Sequence, residues 1–219
     1  MIRVLRPVPV DRLKLLVFDL DGTLIDSAQD LCNSVNATLE KFGRPHLSDE
    51  IIASYIGNGV LVLVRRAFAT DDGKEPSQEL LAEAHKFFLD YYREHKLDYT
   101  YAYDGVLEAL DALHKVHDQP DVPARAMAVL TNKPVRPAQA ICEALGLAPY
   151  FQHIYGGNSF STKKPDPEGL LALMKDAGAW CIGCTFGLAP GSLEAIPPDV
   201  LVDSPADWTA ALSPARISE

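Results

Sequence analysis

LKLLVFDLDGT, residues 13–23, decides the fold. Leu13 to Phe18 form a short, nearly continuous apolar run that stops abruptly at Asp19-Leu20-Asp21-Gly22-Thr23. An apolar run this short, bounded by turn residues, reads as a strand of a parallel sheet buried on both faces rather than as a helix. Open α/β sheets hold ligands at the carboxyl ends of their strands, which is where both aspartates stand. They can look into one crevice if the chain leaves the extended form after Asp19, a turn that Gly22 permits. One carboxylate could then attack phosphorus or bind a cation while the other exchanges a proton. The same residues also suit a polar strand-to-helix turn with helix-capping aspartates.

Downstream the pattern changes. Apolar residues at Leu31, Val35, Leu39 and Phe42 recur at helical spacing up to Gly43, a residue suited to a C-terminal cap. Ser48 to Tyr55, Val60 to Phe68 and Ser77 to His95 continue as helices, interrupted by the turn Gly57-Asn58-Gly59 and the polar loop Asp71-Asp72-Gly73-Lys74. The turn has a second reading, in which backbone donors and the Asn58 amide face a ligand. Residues 28–99 therefore read as an all-helical cap inserted after one strand.

Strands and helices then alternate. The expected order is helix 106–116, strand 126–130, helix 137–145, strand 153–155, helix 165–177, strand 179–186 and strand 200–202. Alternation of this kind argues a doubly wound, Rossmann-like parallel sheet. The core is thus expected at residues 1–27 and 100–219, with the helical cap at 28–99.

Composition narrows the function classes. The chain has 219 residues with 20 basic and 30 acidic side chains, a formal charge of −10 that argues against a nucleic-acid partner. No run approaches the ~18 apolar residues of a membrane span, and Pro7, Pro9, Asp11 and Arg12 break the N-terminal stretch before a signal-peptide apolar region can form. Four scattered cysteines are too few for a disulfide framework. Cys181-Ile182-Gly183-Cys184 has metal-ligand spacing but no second pair to complete four ligands, and reads as structural. A soluble, reduced, cytoplasmic globular protein is expected, with no membrane partner.

Two more strand ends carry polar chemistry. Thr131-Asn132 closes the strand 126–130 and offers a hydroxyl and an amide to an anionic oxygen; it would equally serve as a plain turn before Pro134. Lys163-Lys164-Pro165 follows the strand 153–155 and is read as opening a helix, where a lysine and free N–H groups suit a phosphate. Taken alone it could be a solvated pair. The three sites close three successive strands on the same edge of one sheet.

With these residues in view the chain resembles the haloacid dehalogenase superfamily of phosphatases. DLDGTLIDS (19–27) matches its first motif, VLTNKP (129–134) its second and KKPDP (163–167) its third. YIGNGV (55–60) and YGGNSF (155–160) are similar to its phosphoglycolate phosphatase branch. The resemblance implies a Mg²⁺-dependent phosphomonoester hydrolase acting through an aspartyl phosphate on Asp19. It implies Asp21 as acid and base, Lys164 as the residue offsetting charge, and Thr131, Asn132, Gly22 and Thr23 as the phosphate-binding set. Mg²⁺ would be held by the Asp19 carboxylate and the Asp21 backbone carbonyl. The partner is a small phosphorylated metabolite, and the chain a monomer or homodimer. Alternatives are a phosphomutase of the same superfamily and a catalytically inactive protein that binds phosphate esters.

The superfamily's fourth motif, a strand ending in an acidic pair that completes the Mg²⁺ site, has no counterpart. The chain runs GLLALMKDAGAWCIGCTFG (169–187) from the helix after the third motif straight into a strand. A strand, a loop and a helix would need roughly 20 to 25 more residues. The core is expected to be one βα unit short, with the strand near 180–186 sliding in beside the first strand; Asp166, Asp176 and Asp203 are the candidates for a substitute ligand, although their positions in the chain do not point them at the crevice.

Overall fold

The computed structural model describes residues 2–5, 13–69, 74–115, 126–173, 182–187 and 198–212. The apolar run becomes β2, Leu15–Phe18, which pairs in parallel with β5, Ala126–Leu130. β5 pairs in turn, also in parallel, with β6, His153–Tyr155. This register matters for function: Phe18 stands opposite Val129, and Leu130 opposite Tyr155, so all three strands end on one edge.

A second sheet joins β7, Ile182–Cys184, in parallel to β8, Val200–Val202, with β1, Ile2–Val4, antiparallel on the far side of β8. Among the described residues no ladder joins β7 to β2. The expected slide of this strand into the place beside β2 is therefore not what the structure shows. β7 instead follows the ladder of β8, where Val200 and Val202 are buried and give it an apolar neighbour. The stretch 174–181, in which the missing unit would fall, lies outside the described residues, and so do Asp176 and Cys181.

Two more short strands form a neck. β3, Ile25–Asp26, pairs antiparallel with β4, Tyr101–Ala102, so the chain leaves and re-enters the core at one place. Between them lie α1, Ala28–Lys41, α2, Asp49–Ala53, α3, Val60–Phe68, and α4, Gln78–His95. Leu31, Val35 and Leu39 on α1 and Ala84, Phe88 and Tyr92 on α4 recur every fourth residue, which puts each set on one helix face. Both faces are buried in a cluster separate from the core around Phe18, Leu110, Val129 and Trp208. Each such large side chain stabilises by about 1.5–3 kcal/mol relative to exposure, enough to give the helical segment an interior of its own.

The remaining helices are α5, Val106–Lys115, α6, Val135–Ala144, α7, Glu168–Leu173, and α8, Asp207–Ala211. α7 starts three residues later than Pro165 suggests, because the Asp166 carboxylate accepts from Glu168 N–H and Thr162 Oγ1 and closes a turn there. Lys164 is thus a loop residue, and what it offers a ligand is its side chain. The tyrosines at the return of the helical segment divide: Tyr92 is buried, while Tyr99 and Tyr101 face solvent. No helix among the described residues is long and apolar enough to cross a membrane.

Candidate active site

Leu20 explains how two aspartates two residues apart reach one cleft. Its side chain is fully buried, and its carbonyl accepts from the N–H groups of Thr23, Leu24 and Ile25 at 3.2, 3.0 and 3.2 Å. The chain therefore coils tightly around Leu20, with Gly22 in the left-handed region at φ 78°, and Asp19 and Asp21 emerge on the cleft side. Gly22 and Thr23 themselves belong to the turn. Gly22 N–H donates to Ile25 O and Thr23 N–H to Leu20 O, and neither residue lines the cleft.

The cleft is walled on the core side by Asp19, Asp21, Thr131, Asn132 and Lys133. Opposite stand Leu31, Ile56, Gly57, Gly59, Val60 and Leu63 from the helical segment. Lys164 reaches in from the loop after β6, with Nζ 2.8 Å from Asp19 Oδ1. Leu20 N–H donates to the same oxygen at 2.8 Å and fixes the carboxylate. A floor of carboxylates, a cation and a hydroxyl under an apolar roof suits a small anionic ester.

Thr131 Oγ1 accepts from Lys133 N–H at 3.2 Å, an arrangement that leaves the hydroxyl proton to donate elsewhere. Asn132 is differently placed. Its amide nitrogen donates to Gly57 O at 2.9 Å and to Lys164 O at 3.0 Å, so it ties the turn Gly57-Asn58-Gly59 and the Lys164 loop to β5. Lys163 sits at the mouth, close to Gly59 and to His85 of α4. Burial, and then the Lys163 charge, hold the His85 imidazole below its ordinary pKa.

Two residues that lie inside the first and second motifs, but to which the sequence reading gives no role, also bear on Asp21. Lys133 Nζ makes a 2.8 Å ion pair with Asp21 Oδ1, and Ser27 Oγ donates to the same oxygen at 2.6 Å. Ser27 stands at the N-cap of α1 but gives its hydroxyl to Asp21 instead of to the helix. Lys133 is almost wholly enclosed. Burial alone disfavours its ammonium, yet the Asp21 charge and Tyr92 beside it outweigh that and raise its pKa, so it is a cation at any ordinary pH.

The oxygens at the end of β2 are of the kind that a small, hard divalent cation takes. Asp19 offers a carboxylate open to the cleft, and the Asp21 main-chain carbonyl accepts no hydrogen bond among the described residues. Mg²⁺ usually takes one or two protein carboxylates and completes its shell with water and substrate phosphate, so these donors fit it. Among the described residues no group of three His, Cys, Asp or Glu side chains converges to hold an ion. Asp166 is engaged in the turn before α7, and Asp203 with Arg3 and Thr185.

The chain is similar to known proteins over most of its length. Residues 16–180 match the family model of the haloacid dehalogenase-like hydrolases. The chain belongs to that family, as its motifs suggest. It is 33% identical over 218 residues to a phosphoglycolate phosphatase of Vibrio parahaemolyticus, covering 88% of this chain and 92% of the relative. It is 40% identical over 166 residues to one of Pseudomonas syringae pv. tomato, covering 75% of this chain but only 58% of that relative. Among solved structures it resembles that of a predicted phosphoglycolate phosphatase from Haemophilus somnus 129PT. The TM-score is 0.76 at 29% identity, over 89% of this chain and 96% of that one.

Proposed function

We propose that this chain hydrolyses a small phosphomonoester through an aspartyl phosphate on Asp19, with 2-phosphoglycolate as the first substrate to test. The observation that carries the reading is the convergence of Asp19, its Lys164 partner at 2.8 Å, Asp21 and Thr131 on one cleft roofed by residues 31–63. The substrate rests on the relatives' names. Asp19 attacks phosphorus as the bond to the leaving oxygen breaks, and Asp21 gives that oxygen a proton. Asp21 then takes a proton from the water that displaces phosphate from Asp19, which returns Asp21 to its protonated form and Asp19 to the free carboxylate. Lys164 and the Thr131 hydroxyl offset charge on the phosphoryl oxygens, the main demand of phosphoryl transfer.

Mg²⁺ bound by the Asp19 carboxylate and the Asp21 carbonyl would neutralise phosphate charge. With no third carboxylate converging on Asp19 among the described residues, we expect this cation to be held weakly and turnover to be impaired. Residues 28–99 act in this reading as a cap that excludes water. The same weak cation site favours one second reading, a phosphate-ester-binding protein without turnover.

Phosphate release from p-nitrophenyl phosphate and 2-phosphoglycolate, with and without Mg²⁺, separates these. Mg²⁺-dependent release that disappears in Asp19→Asn supports hydrolysis. Binding of 2-phosphoglycolate by calorimetry with no release, in a folded protein, supports the second reading.

A further inference from the structure

The two ion pairs of the cleft differ in kind. The side chains of Lys164 and Asp19 are 31% and 43% exposed, whereas those of Lys133 and Asp21 are 3% and 13%. Removing an ammonium from water carries a penalty of several kcal/mol, and a lysine on a surface turn avoids it. Lys133 is held in place by partners from two distant parts of the chain. Its Nζ bonds Asp21 Oδ1 at 2.8 Å and lies 4.9 Å from the centre of the Tyr92 ring, which faces it from α4. Tyr92 is 2% exposed, and its hydroxyl has no aligned hydrogen-bond partner among the described residues. The buried ring lies against the ammonium and seals the pair from water.

Asp21 Oδ1 therefore accepts from two fixed donors, Lys133 Nζ and Ser27 Oγ. A carboxylate clamped at one oxygen by two donors cannot turn about its last torsion, so the other oxygen keeps one direction. We propose that Lys133 is a positioning residue, which fixes the Asp21 carboxylate so that Oδ2 alone exchanges protons with the leaving oxygen and then with water. This rests on the phosphatase reading, in which Asp21 is the acid and base. Lys133 keeps its own protons throughout. The proton on Asp21 Oδ2 passes to the leaving oxygen as the phosphorus–Asp19 bond forms, and a proton from water returns to Oδ2 as that bond breaks. Tyr92 has a part at one remove, because it places the ammonium.

Leaving groups provide the test. The p-nitrophenolate ion departs without a proton, whereas the alkoxide of 2-phosphoglycolate needs one. The quantity to compare is kcat/KM, which reports only the steps through the first phosphoryl transfer. Lys133→Met should lower kcat/KM for 2-phosphoglycolate by roughly 10²-fold or more, the range for misplacing a reacting group or losing acid catalysis. The loss on p-nitrophenyl phosphate should stay within about tenfold, since only general acid catalysis is being withdrawn. Tyr92→Leu should give the same asymmetry in weaker form, and decides the matter if Lys133→Met does not fold by circular dichroism. Equal losses on both esters, or none, overturn the proposal and leave the phosphatase reading standing. A folded wild type that releases phosphate from neither ester overturns that reading, and this proposal with it.

Discussion

Lys164 Nζ and Asp19 Oδ1 stand 2.8 Å apart at a point where the cleft is open, and the two side chains are brought together by the ends of β2 and β6. Because both are partly solvated, their attraction adds little to stability: exposed pairs typically contribute ~0–1 kcal/mol. In the proposed reaction its value would lie in the charge it offers to an incoming phosphate. Lys164→Met should therefore leave the melting temperature nearly unchanged while lowering kcat by roughly 10²–10³-fold, the range for loss of one group that stabilises developing charge. Calorimetry and phosphate release on the same sample check both halves. A large drop in melting temperature with activity retained would assign the lysine to the fold instead.

Asp30 makes the opposite kind of contact. It is buried on α1, and its carboxylate accepts from Tyr99 N–H, Thr100 N–H at 2.8 Å and Thr100 Oγ1 at 2.7 Å. The first turn of α1 is thereby tied to the residues just before β4, so the helical segment is clamped at its neck. Asp30→Ala would leave these donors enclosed without an acceptor, and each unmet donor costs about 1–3 kcal/mol. Some would find water, so a net loss of about 3 kcal/mol is expected. In a chain of this size that lowers the melting temperature by roughly 6–12 °C. Thr100→Val removes a single donor and should cost about 1 kcal/mol. Differential scanning calorimetry separates the two.

Which parts of this were legible in the sequence follows from how far each reading had to reach. The strands 126–130, 153–155 and 200–202 and the helix 60–68 stand where their local apolar patterns put them. β1, β3 and β4 are two or three residues long and exist only because a distant segment pairs with them, so no window along the chain reveals them. α7 starts later than the proline at 165 suggests because the Asp166 side chain closes a turn first, a contact that no local pattern reveals. Asp19, Asp21 and Thr131 could be singled out because each is a polar residue near the end of a strand, and Lys164 because it stands in the KKPDP stretch that follows the strand 153–155. Lys133 is the instructive miss. Burial makes it unusual, and burial is a property of Asp21 and Tyr92 as much as of Lys133.

Two buried thiols give the fold an alkaline limit. Burial first, and then the nearby Asp49, push the Cys32 thiol up to about 12 from an ordinary 9.0. Burial, and then Asp21 against the opposing Lys133, push Cys142 up to about 12 as well. In both cases the folded pKa lies above the unfolded one. Their contribution is thus complete below pH 9 and is lost as pH rises from 9 towards 12, because the unfolded chain releases protons that the folded one keeps. The slope is at most about 1.4 kcal/mol per pH unit for each thiol. Urea midpoints should be level from pH 7 to about 8.5 and then fall, and Cys142→Ala should make the fall shallower. A midpoint flat to pH 11 would contradict the assignment.

The loop after β6 lies directly on the segment that carries Thr131, Asn132 and Lys133. A Cβ on Gly157 would stand 2.3 Å from Asn132 O and 2.9 Å from its carbonyl carbon, and one on Gly156 would stand 2.3 Å from Val135 N. These neighbours are backbone, so no side-chain rotation relieves the overlap. Gly157→Ala must push the 131–133 segment aside, which displaces Lys133 and, through it, Asp21. We expect a loss of about 1–3 kcal/mol from overpacking, together with a fall in activity of roughly 10²-fold, the scale for misplacing reacting groups by about 1 Å. Gly43→Ala is the control. It has φ +65° but nothing within 4 Å of the added carbon, far from the cleft. Its cost is that of the left-handed backbone alone, roughly 1–2 kcal/mol, with phosphate release unchanged. If the two variants lose similar stability and only Gly157→Ala loses activity, the close approach of this loop sets the geometry of the cleft. If both keep full activity, the packing beneath Asn132 and Lys133 yields without moving them.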